Sequence, residues 1–356
     1  MRDGNPLERW WFGELMSVSP ERLSELQTKI HGNLAHLASM LDAAVGGKPR
    51  YSSIRIGLDV ERVPPAPEDV GLAEELFRRV FRAGGTGSMP VMEALLELIA
   101  AARDPATVPF WREVIALSRP RDKSAGIRHN LALAALAELL AEHSVPAAYE
   151  ALREAAHNPS AEVRTLAVEY MEDAYLYVER PLPAEVVAEL TDIATHDPAL
   201  GPRFQARLAL QDAQAPVPHE NAGGTYAFKV WLVRTPQSYR VLELRSEQTL
   251  DDLHDAIQQA MNWDADHLYS FFLSGIPYDE STSFSCPMEE GERCTEDAAI
   301  GDLGLRVGDV FAYLFDYGDD NVFGVEVVSV QPQAQQGVQY PRIVEKHGRA
   351  PRQYRY

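Results

Sequence analysis

The sequence predicts a multidomain protein in which an all-α region of paired helices precedes an α+β domain. Two observations support this prediction: helix pairs recur up to residue 213, and apolar residues change to strand-like alternation beyond residue 225. Between them, residues 214–224 are rich in Pro, Gly and Ala and lack periodicity, as expected of a linker. A chain of 356 residues has room for two or three folding units, because domains usually hold roughly 100 to 200 residues.

The first 62 residues predict a helix that begins near Pro20 and an extended segment, YSSIRIGLDVERV. The aromatic run RWWF near the N-terminus is typical of a packing anchor. If Trp10 and Trp11 are exposed, they would instead form a patch on which a protein partner docks.

Helix pairs follow one another between residues 63 and 213. The segment that begins at Val163 has apolar residues at i, i+3, i+4, i+7, i+8 and i+11, which is the stripe of an amphipathic helix, and the shorter helix VPAAYEALREAAH precedes it. Arg128, Arg164 and Arg203 occupy comparable places in three such pairs, 36 and 39 residues apart. A repeat of two helices predicts a solenoid, because each pair can bury its stripe only against its neighbours.

The piece NPSAEVRTLAVEYM resembles the second helix of HEAT-like repeats, with Pro at the turn and VR one helical turn inside. The resemblance implies a surface that recognises proteins, or occasionally nucleic acid. A helical spacer with a structural role alone is the alternative.

Beyond residue 225 the pattern predicts strands and one helix. Residues 226–232 alternate as a first strand, YRVLELRS is a second, and the helix TLDDLHDAIQQAMNW follows with Thr249 as N-cap and Asp252 three residues later. The strand HLYSFFLS and the pair VFAYLFDYGDD and VFGVEVVSV come next. This order predicts a β-grasp-like mixed sheet crossed by a helix. The predicted regions are an N-terminal helix and extended segment at 1–62, a HEAT-like solenoid at 63–213, a linker at 214–224, and an α+β domain with a basic tail at 225–356.

Three stretches of this last region, TLDDLHDAIQQAMNWDADHLYSFFL, IGDLGLRVGDVFAYLFDYGDD and YPRIVEKHGRAPRQY, resemble the plasmid pRiA ORF-three-like family. Its members are often labelled TnpR-like proteins of transposons, and no activity is established for them. The label implies a DNA-binding accessory role in a mobile element. Where the family usually has a Trp after FDYGD, this chain has Asn321 and Val322.

The charge balance argues against general binding of nucleic acid. Lys and Arg number 33 against 53 Asp and Glu, and the net charge of −20 would repel phosphates unless basic groups cluster. The tail after Pro341 is such a cluster, and we expect it to lie on its own acidic domain, with a nucleic-acid contact as the alternative. The basic residues of this tail, among which Arg349, Arg352 and Arg355 are candidate partner-binding residues, are Arg342, Lys346, Arg349, Arg352 and Arg355.

The stretch FDYGDD raises the question of a functional site. Alternation with Ala312 and Leu314 predicts that Asp316 points inward, while Gly318 and the two carboxylates after it are typical of a hairpin turn. Asp316 would then bind turn amides or His254. The alternatives are a ligand pocket or a metal site, for which imidazoles and carboxylates must converge. The candidate pocket residues are His254, Gln258, His267, Asp316, Tyr317 and Asp319.

Other motifs are less informative. Cys286 and Cys294 lack the spacing of a zinc knuckle and are expected to be free or loosely paired at the surface. We predict no catalytic residue, no metal and no cofactor, and the absence of a signal-peptide or membrane-spanning pattern predicts a cytoplasmic protein.

The leading hypothesis is a non-enzymatic recognition or scaffold protein whose HEAT-like arm binds a protein partner. The alternatives are a DNA-binding accessory protein of a mobile element and a metal-dependent enzyme that uses a His254 and Asp316 pocket.

Overall fold

The computed structural model describes residues 18–44, 49–51, 63–119, 122–176, 179–289, 291 and 293–354. The chain forms two compact units, Met1–Pro181 and Leu182–Tyr356. Trp10, Trp11, Arg355 and most of the predicted extended segment lie outside the described residues. None of the described helices is both long and apolar enough to span a bilayer.

The described part of the first unit is helical. Ser19 caps the first helix by accepting a hydrogen bond from the Arg22 amide. Helix α4 contacts α6, while α5 contacts both α3 and α7, so the first and second helices of successive pairs stack in separate layers. The helices are α1 (Pro20–Ala43), α2 (Pro67–Ala83), α3 (Ser88–Ala101), α4 (Val108–Ala116), α5 (Ala125–His143), α6 (Pro146–Ala155) and α7 (Ala161–Leu176).

Buried arginines donate to backbone carbonyls that precede the second helix in two helix pairs. Arg128 is 1% exposed and donates from its guanidinium to the carbonyl oxygen of Val114, at 2.8 Å, and to that of Leu117, at 3.3 Å. In the next pair, Arg164 donates to the carbonyl oxygens of Asn158, at 2.9 Å, and Pro159, at 3.2 Å. Arg128 thus satisfies carbonyls at the end of α4 and also pairs with the Asp122 carboxylate at 2.5 Å, whereas Arg164 binds carbonyls of the loop that follows α6.

Ion pairs link successive helices on the more exposed side of this unit. Each pair joins a helix to an earlier or later helix of the stack, and exposed pairs of this kind contribute little free energy. The pairs and their nitrogen to oxygen distances are Arg79 with Asp42 at 2.5 Å, Arg78 with Glu113 at 2.8 Å and Arg112 with Glu154 at 3.0 Å.

The second unit combines three helices with an antiparallel sheet. Its helices are α8 (Ala184–His196), α9 (Leu200–Asp212) and α10 (Leu250–Met261). Its strands are β1 (Thr225–Leu232), β2 (Tyr239–Arg245), β3 (Tyr269–Phe272), β4 (Ser283–Ser285), β5 (Val310–Phe315), β6 (Asn321–Gln331) and β7 (Arg342–His347), in the spatial order β4-β3-β5-β6-β1-β2-β7.

The prediction of a mixed sheet is wrong, because every pairing between the described strands of this sheet is antiparallel. The β5–β6 hairpin is the reason. This hairpin places β6 between β5 and β1. Strands β5 and β1 run in the same direction, and β6 runs in the opposite direction, so both of its pairings are antiparallel.

One face of the sheet, which we call the helical face, packs against α9 and α10. The capping box of Thr249 and Asp252 begins α10 as the sequence predicts, and the helix ends at Asn262 in the left-handed conformation. The opposite face, the back face, has a smaller core of its own, formed by Phe272, Ala312 and Leu314.

The division between the units falls at Pro181, whereas the sequence places a linker at residues 214–224. Helices α8 and α9 therefore belong to the sheet unit, and Leu200, Phe204 and Leu208 of α9 lie in its core. The linker stretch itself binds this unit: the Glu220 amide donates to the Gly301 carbonyl at 2.8 Å. The composition of residues 214–224 and their lack of periodicity correctly indicated an irregular segment. Such a segment can nevertheless pack against a domain.

Candidate functional site

The buried polar groups of α10 meet on one tyrosine. The hydroxyl oxygen of Tyr313 lies 2.7 Å from His254 Nδ1 and 2.7 Å from Gln258 Nε2. The imidazole of His254 also stacks on the Tyr269 ring, with 3.6 Å between the centroids. Helix spacing brings His254 and Gln258 to the same side of α10, one turn apart, and β5 carries Tyr313 to meet them.

The donor and acceptor roles in this group follow from its chemistry. Gln258 can only donate through Nε2, so the Tyr313 hydroxyl accepts that bond and donates its own hydrogen to His254 Nδ1. The imidazole must then be neutral and carry its proton on Nε2. Burial lowers the pKa of His254 to about 4, and burial raises the pKa of Tyr313 well above its ordinary value. At neutral pH the group is an uncharged hydrogen-bond network of the core.

A second tyrosine extends the network. The hydroxyl of Tyr269 donates to the Asp251 carboxylate, and its oxygen lies 3.2 Å from Thr295 Oγ1. Burial, and then the bond to Asp251, raise the pKa of Tyr269 above its ordinary range. Asp251 stands in the first turn of α10, where a negative charge interacts favourably with the helix dipole.

The FDYGDD stretch forms the turn between β5 and β6. Asp316 has φ of 60°, and its carboxylate accepts from the backbone amides of Gly318, at 3.0 Å, and Asp319, at 3.2 Å. The imidazole Nε2 of His267 lies 3.5 Å from the same carboxylate. An aspartate that binds amides two and three residues ahead is a common way to stabilise a turn.

The structure thus divides the candidate pocket residues into separate groups. His254 and Gln258 bind Tyr313 inside the core, whereas His267 and Asp316 lie together at the hairpin end. Tyr317 lies towards the back face, where its hydroxyl is 2.7 Å from Ser270 Oγ. Asp319 is exposed at the turn.

The expectation that Asp316 shares an inward face with Ala312 and Leu314 is wrong about the face. Ala312 and Leu314 lie in the back-face core, while Phe311, Tyr313 and Phe315 face α10. Tyr313 was therefore not among the predicted site residues. It alternates with two phenylalanines, the pattern of a strongly apolar face, but the opposite face of the strand is apolar as well.

Asn321 is a buried residue that the sequence analysis noted only as a departure from the family pattern. It is 1% exposed at the start of β6, opposite Phe315. In the described part of the chain, neither Nδ2 nor Oδ1 of Asn321 has a hydrogen-bond partner. The amide therefore costs folding free energy at the end of the hairpin.

The C-terminal tail lies on its own domain, as the sequence predicts. Strand β7 pairs with β2, and beyond it the Trp263 indole donates to the Pro351 carbonyl at 2.8 Å. Tyr354 donates to the Asp266 carboxylate at 2.9 Å, which lowers the pKa of that carboxyl. Arg349 and Arg352 remain exposed.

Both cysteines are free, but they differ in exposure. Cys286 is 1% exposed and belongs to the core of the helical face, so the expectation of a surface thiol is wrong for it. It follows Phe284 by two residues and shares its face of the chain. Across the described ranges, no three His, Cys, Asp or Glu side chains are grouped so that they could hold a metal ion.

The sheet, α10 and the docked tail lie within the part of the chain that a known family model matches. Residues 210–353 match the model of the plasmid pRiA4b ORF-3-like protein family. This ORF-3-like region begins near the end of α9, so α8 and most of α9 precede the match although they belong to the same compact unit.

Two proteins of unknown function are similar to part of this chain. An uncharacterized protein, y4hQ of Sinorhizobium fredii, is 28% identical over 109 residues, which is 29% of this chain and 50% of that protein. The chain thus spans half the length of this curated relative. A crystal structure of a protein of unknown function, MM3350 from Methanosarcina mazei Go1, is 24% identical over 35% of this chain and 70% of that one, with a TM-score of 0.31.

Proposed function

We propose that the protein is a non-enzymatic recognition protein of the cytoplasm whose helix pairs form a HEAT-like array that binds a protein partner. The observation that carries this proposal is the stacking of α4 on α6 and of α5 on α7, with Arg128 and Arg164 each bonded to backbone carbonyls that precede the second helix of its pair. Repeated helix pairs of this kind build extended surfaces, and such surfaces commonly bind other proteins.

The chemistry of the candidate pocket supports a structural role for its side chains. The acceptor nitrogen of His254 is engaged by the Tyr313 hydroxyl, and the Asp316 carboxylate is engaged by amides of its own turn. A catalytic base needs a free acceptor that faces substrate, and both of these acceptors already have partners inside the fold.

Affinity capture with the full-length protein from its native cells tests the proposal. We expect one protein to be retained in stoichiometric amount and cross-linked peptides to map to helices α4 to α7. A charge swap on α6, Glu150→Arg with Arg153→Glu, keeps the net charge but reverses an exposed ion pair, and should weaken capture if α6 contacts the partner. The matched control is the same swap at Arg22 and Glu25 of α1.

Other results of the same experiment would replace the proposal. Nucleic acid in the eluate, together with a mobility shift of DNA at ~150 mM salt that is lost on deleting residues 346–356, would favour the TnpR-like DNA accessory role. A metal that copurifies and is lost in His254→Ala would favour the enzyme. If antibody fragments cross-linked to helices α4 to α7 do not reduce capture of the partner, the binding surface lies elsewhere.

A further inference from the structure

We infer that the back face of the sheet unit carries a second binding surface, which accepts a basic segment of a partner protein through apolar anchors. The surface, here called the back-face patch, consists of Ile276, Tyr278, Met288 and Tyr317 above the buried ring of Phe272. This inference goes beyond the proposed function, which concerns the helix pairs of the first unit.

Three side chains of the patch are unusually exposed for their type. Ile276 is 64% exposed, Tyr278 is 56% exposed and Met288 is 78% exposed. Exposed apolar side chains scattered singly are ordinary on a protein surface, whereas a contiguous group marks an interaction site. These three side chains indicate an interaction site only if they belong to one continuous surface.

Ring contacts and a hydrogen bond join Phe272, Tyr278 and Tyr317 to the loop of Glu289, and the exposed Ile276 and Met288 stand two residues and one residue along the chain from Tyr278 and Glu289. The ring centroid of Tyr278 lies 6.3 Å from that of Phe272 and 6.4 Å from that of Tyr317. The Tyr317 hydroxyl donates to the Glu289 carboxylate at 3.0 Å, which brings the loop that bears Met288 against the same ring. Tyrosine and methionine are residue types enriched at protein interfaces.

Packing and hydrogen bonds hold the two tyrosines of the patch in place. Tyr317 is hydrogen-bonded to Ser270 and is packed against the back-face core that contains Phe272. The Tyr278 hydroxyl donates to the Asp320 carboxylate at 2.9 Å. Binding to anchors that are already oriented costs less conformational entropy than binding to mobile side chains.

The charge around the patch identifies the occupant. The exposed carboxylates of Asp320 and Glu289 accept from the two tyrosines of the patch, while Arg293, a cation of the same loop, donates to backbone carbonyls of Ser281, Ser283 and Glu280. A negative rim attracts a positive partner and repels nucleic-acid phosphates. The exposed carboxylates of the rim are Glu280, Glu289, Asp319 and Asp320.

A peptide assay with the full-length protein tests this inference. The probe is a short fluorescein-labelled peptide of alternating Lys and Leu with one central Phe, followed by fluorescence anisotropy. We expect saturable binding that weakens as NaCl is added, because the rim charges are exposed. A peptide with Glu in place of Lys, and one with Ser in place of Leu and Phe, should both fail to bind.

Variants connect the binding to the patch. We expect the double variant Ile276→Ser with Met288→Ser to bind the probe at least about tenfold more weakly than the wild type, because it removes two apolar side chains of the interface. The matched control is Val344→Ser, which removes another exposed apolar side chain of the sheet unit, 46% exposed on β7, and should leave binding unchanged. Both variants should keep the circular dichroism spectrum of the wild type, because the substituted side chains are exposed.

The inference is overturned if the double variant binds the probe as tightly as the wild type, if the acidic peptide binds equally well, or if the basic apolar peptide does not bind at its solubility limit. Self-association of the wild type that the double variant abolishes, without binding of the peptide, would show a second copy to be the occupant instead. The readout uses a synthetic peptide and is therefore independent of whether the helix pairs capture a protein.

Discussion

Arg164 and Arg203 occupy matching places in two helix pairs, yet they stabilise different parts of the molecule. Arg164 donates to the carbonyl of Asn158, in the turn of its own pair. Arg203 is fully buried, and it donates to the carbonyl of Gly304 at 2.7 Å and to the Asp309 carboxylate, both in the chain that leads into β5. An arginine at the same place in a helix pair thus binds the turn of its own pair in one unit and the chain that leads into a strand of the sheet in the other.

The apolar stripe of α9 explains why the sequence did not distinguish them. A stripe with helical period shows that one face of a helix is covered, but it does not specify which element covers it. Leu200, Phe204 and Leu208 are covered by the sheet core, with the Phe204 ring 5.7 Å from that of Phe284. A helix pair can therefore look like another repeat and still belong to the next domain.

The largest expected effect comes from cutting the chain at two different points. A fragment of residues 182–356 should unfold cooperatively, whereas a fragment of residues 214–356 should be unfolded or aggregate. The second fragment exposes the surface that the three α9 side chains cover, and each such burial contributes about 1.5 to 3 kcal/mol against a total of about 5 to 15 kcal/mol. Urea unfolding monitored by the fluorescence of Trp231 and Trp263 compares the two fragments. Equal midpoints would contradict the assignment of α9 to the sheet core.

The next effect separates the two arginines directly. Arg203→Met should destabilise the sheet unit by up to about 3 to 5 kcal/mol, because it leaves the Asp309 carboxylate, whose side chain is only 12% exposed, without its cation. Arg164→Met removes the bonds to the carbonyls of Asn158 and Pro159, and should cost about 1 to 3 kcal/mol in the first unit. Hydrogen exchange of the full-length protein reports which unit loses protection.

A double variant provides the control for this comparison. Arg203→Met with Asp309→Leu removes both charges and should recover much of the lost stability. If Arg203→Met and Arg164→Met reduce protection in the same helices, the two arginines have the same role and the comparison fails.

Elements whose structure is set by neighbouring residues could be predicted from the sequence. The capping box at Thr249, the stripe of α10 and the turn that Gly318 and Asp319 form depend on residues within a few positions of each other. The docking of the tail was predicted from a different signal, the contrast between its positive charge and the acidic body. The candidate pairing of His254 with Asp316 depended instead on tertiary placement.

The side chains of β5 were assigned to the wrong face of the sheet because both faces of this strand are buried. Tyr313 and Leu314 are each 0% exposed, although they point to opposite faces of the sheet. Alternation distinguishes two faces but not the one that meets the helix when neither is polar. The network of His254 with Tyr313 could therefore not be deduced from spacing alone.

Acid should weaken the sheet unit more than the first unit through His254. The folded pKa of about 4 lies below the ordinary value of 6.5, so between these limits the unfolded chain binds a proton that the folded chain does not. Stability conferred by the neutral imidazole is present above pH ~6.5 and falls as the pH decreases to ~4, by up to about 3 kcal/mol.

The variant His254→Gln isolates this effect. Its amide oxygen can still accept the hydrogen of Tyr313 but does not titrate, so the pH dependence between ~4 and ~6.5 should flatten. If α8 and α9 belong to the sheet unit, their amides should lose protection together with the sheet as the pH falls. An unchanged pH slope in the variant would show that other groups cause the acid sensitivity.

The smallest effect concerns the exposed ion pair of Arg112 and Glu154, which joins α4 to α6. The two side chains are 37% and 59% exposed, so water and salt screen their attraction, unlike that of Arg203 and Asp309. The double variant Arg112→Ala with Glu154→Ala should change the unfolding free energy of the first unit by only about 0.2 to 1 kcal/mol, and less at high salt. A double-mutant cycle in urea at two salt concentrations measures the coupling. A coupling energy as large as that between Arg203 and Asp309 would mean that the surface pairs hold the helix stack together, and that burial is not what separates the two regions.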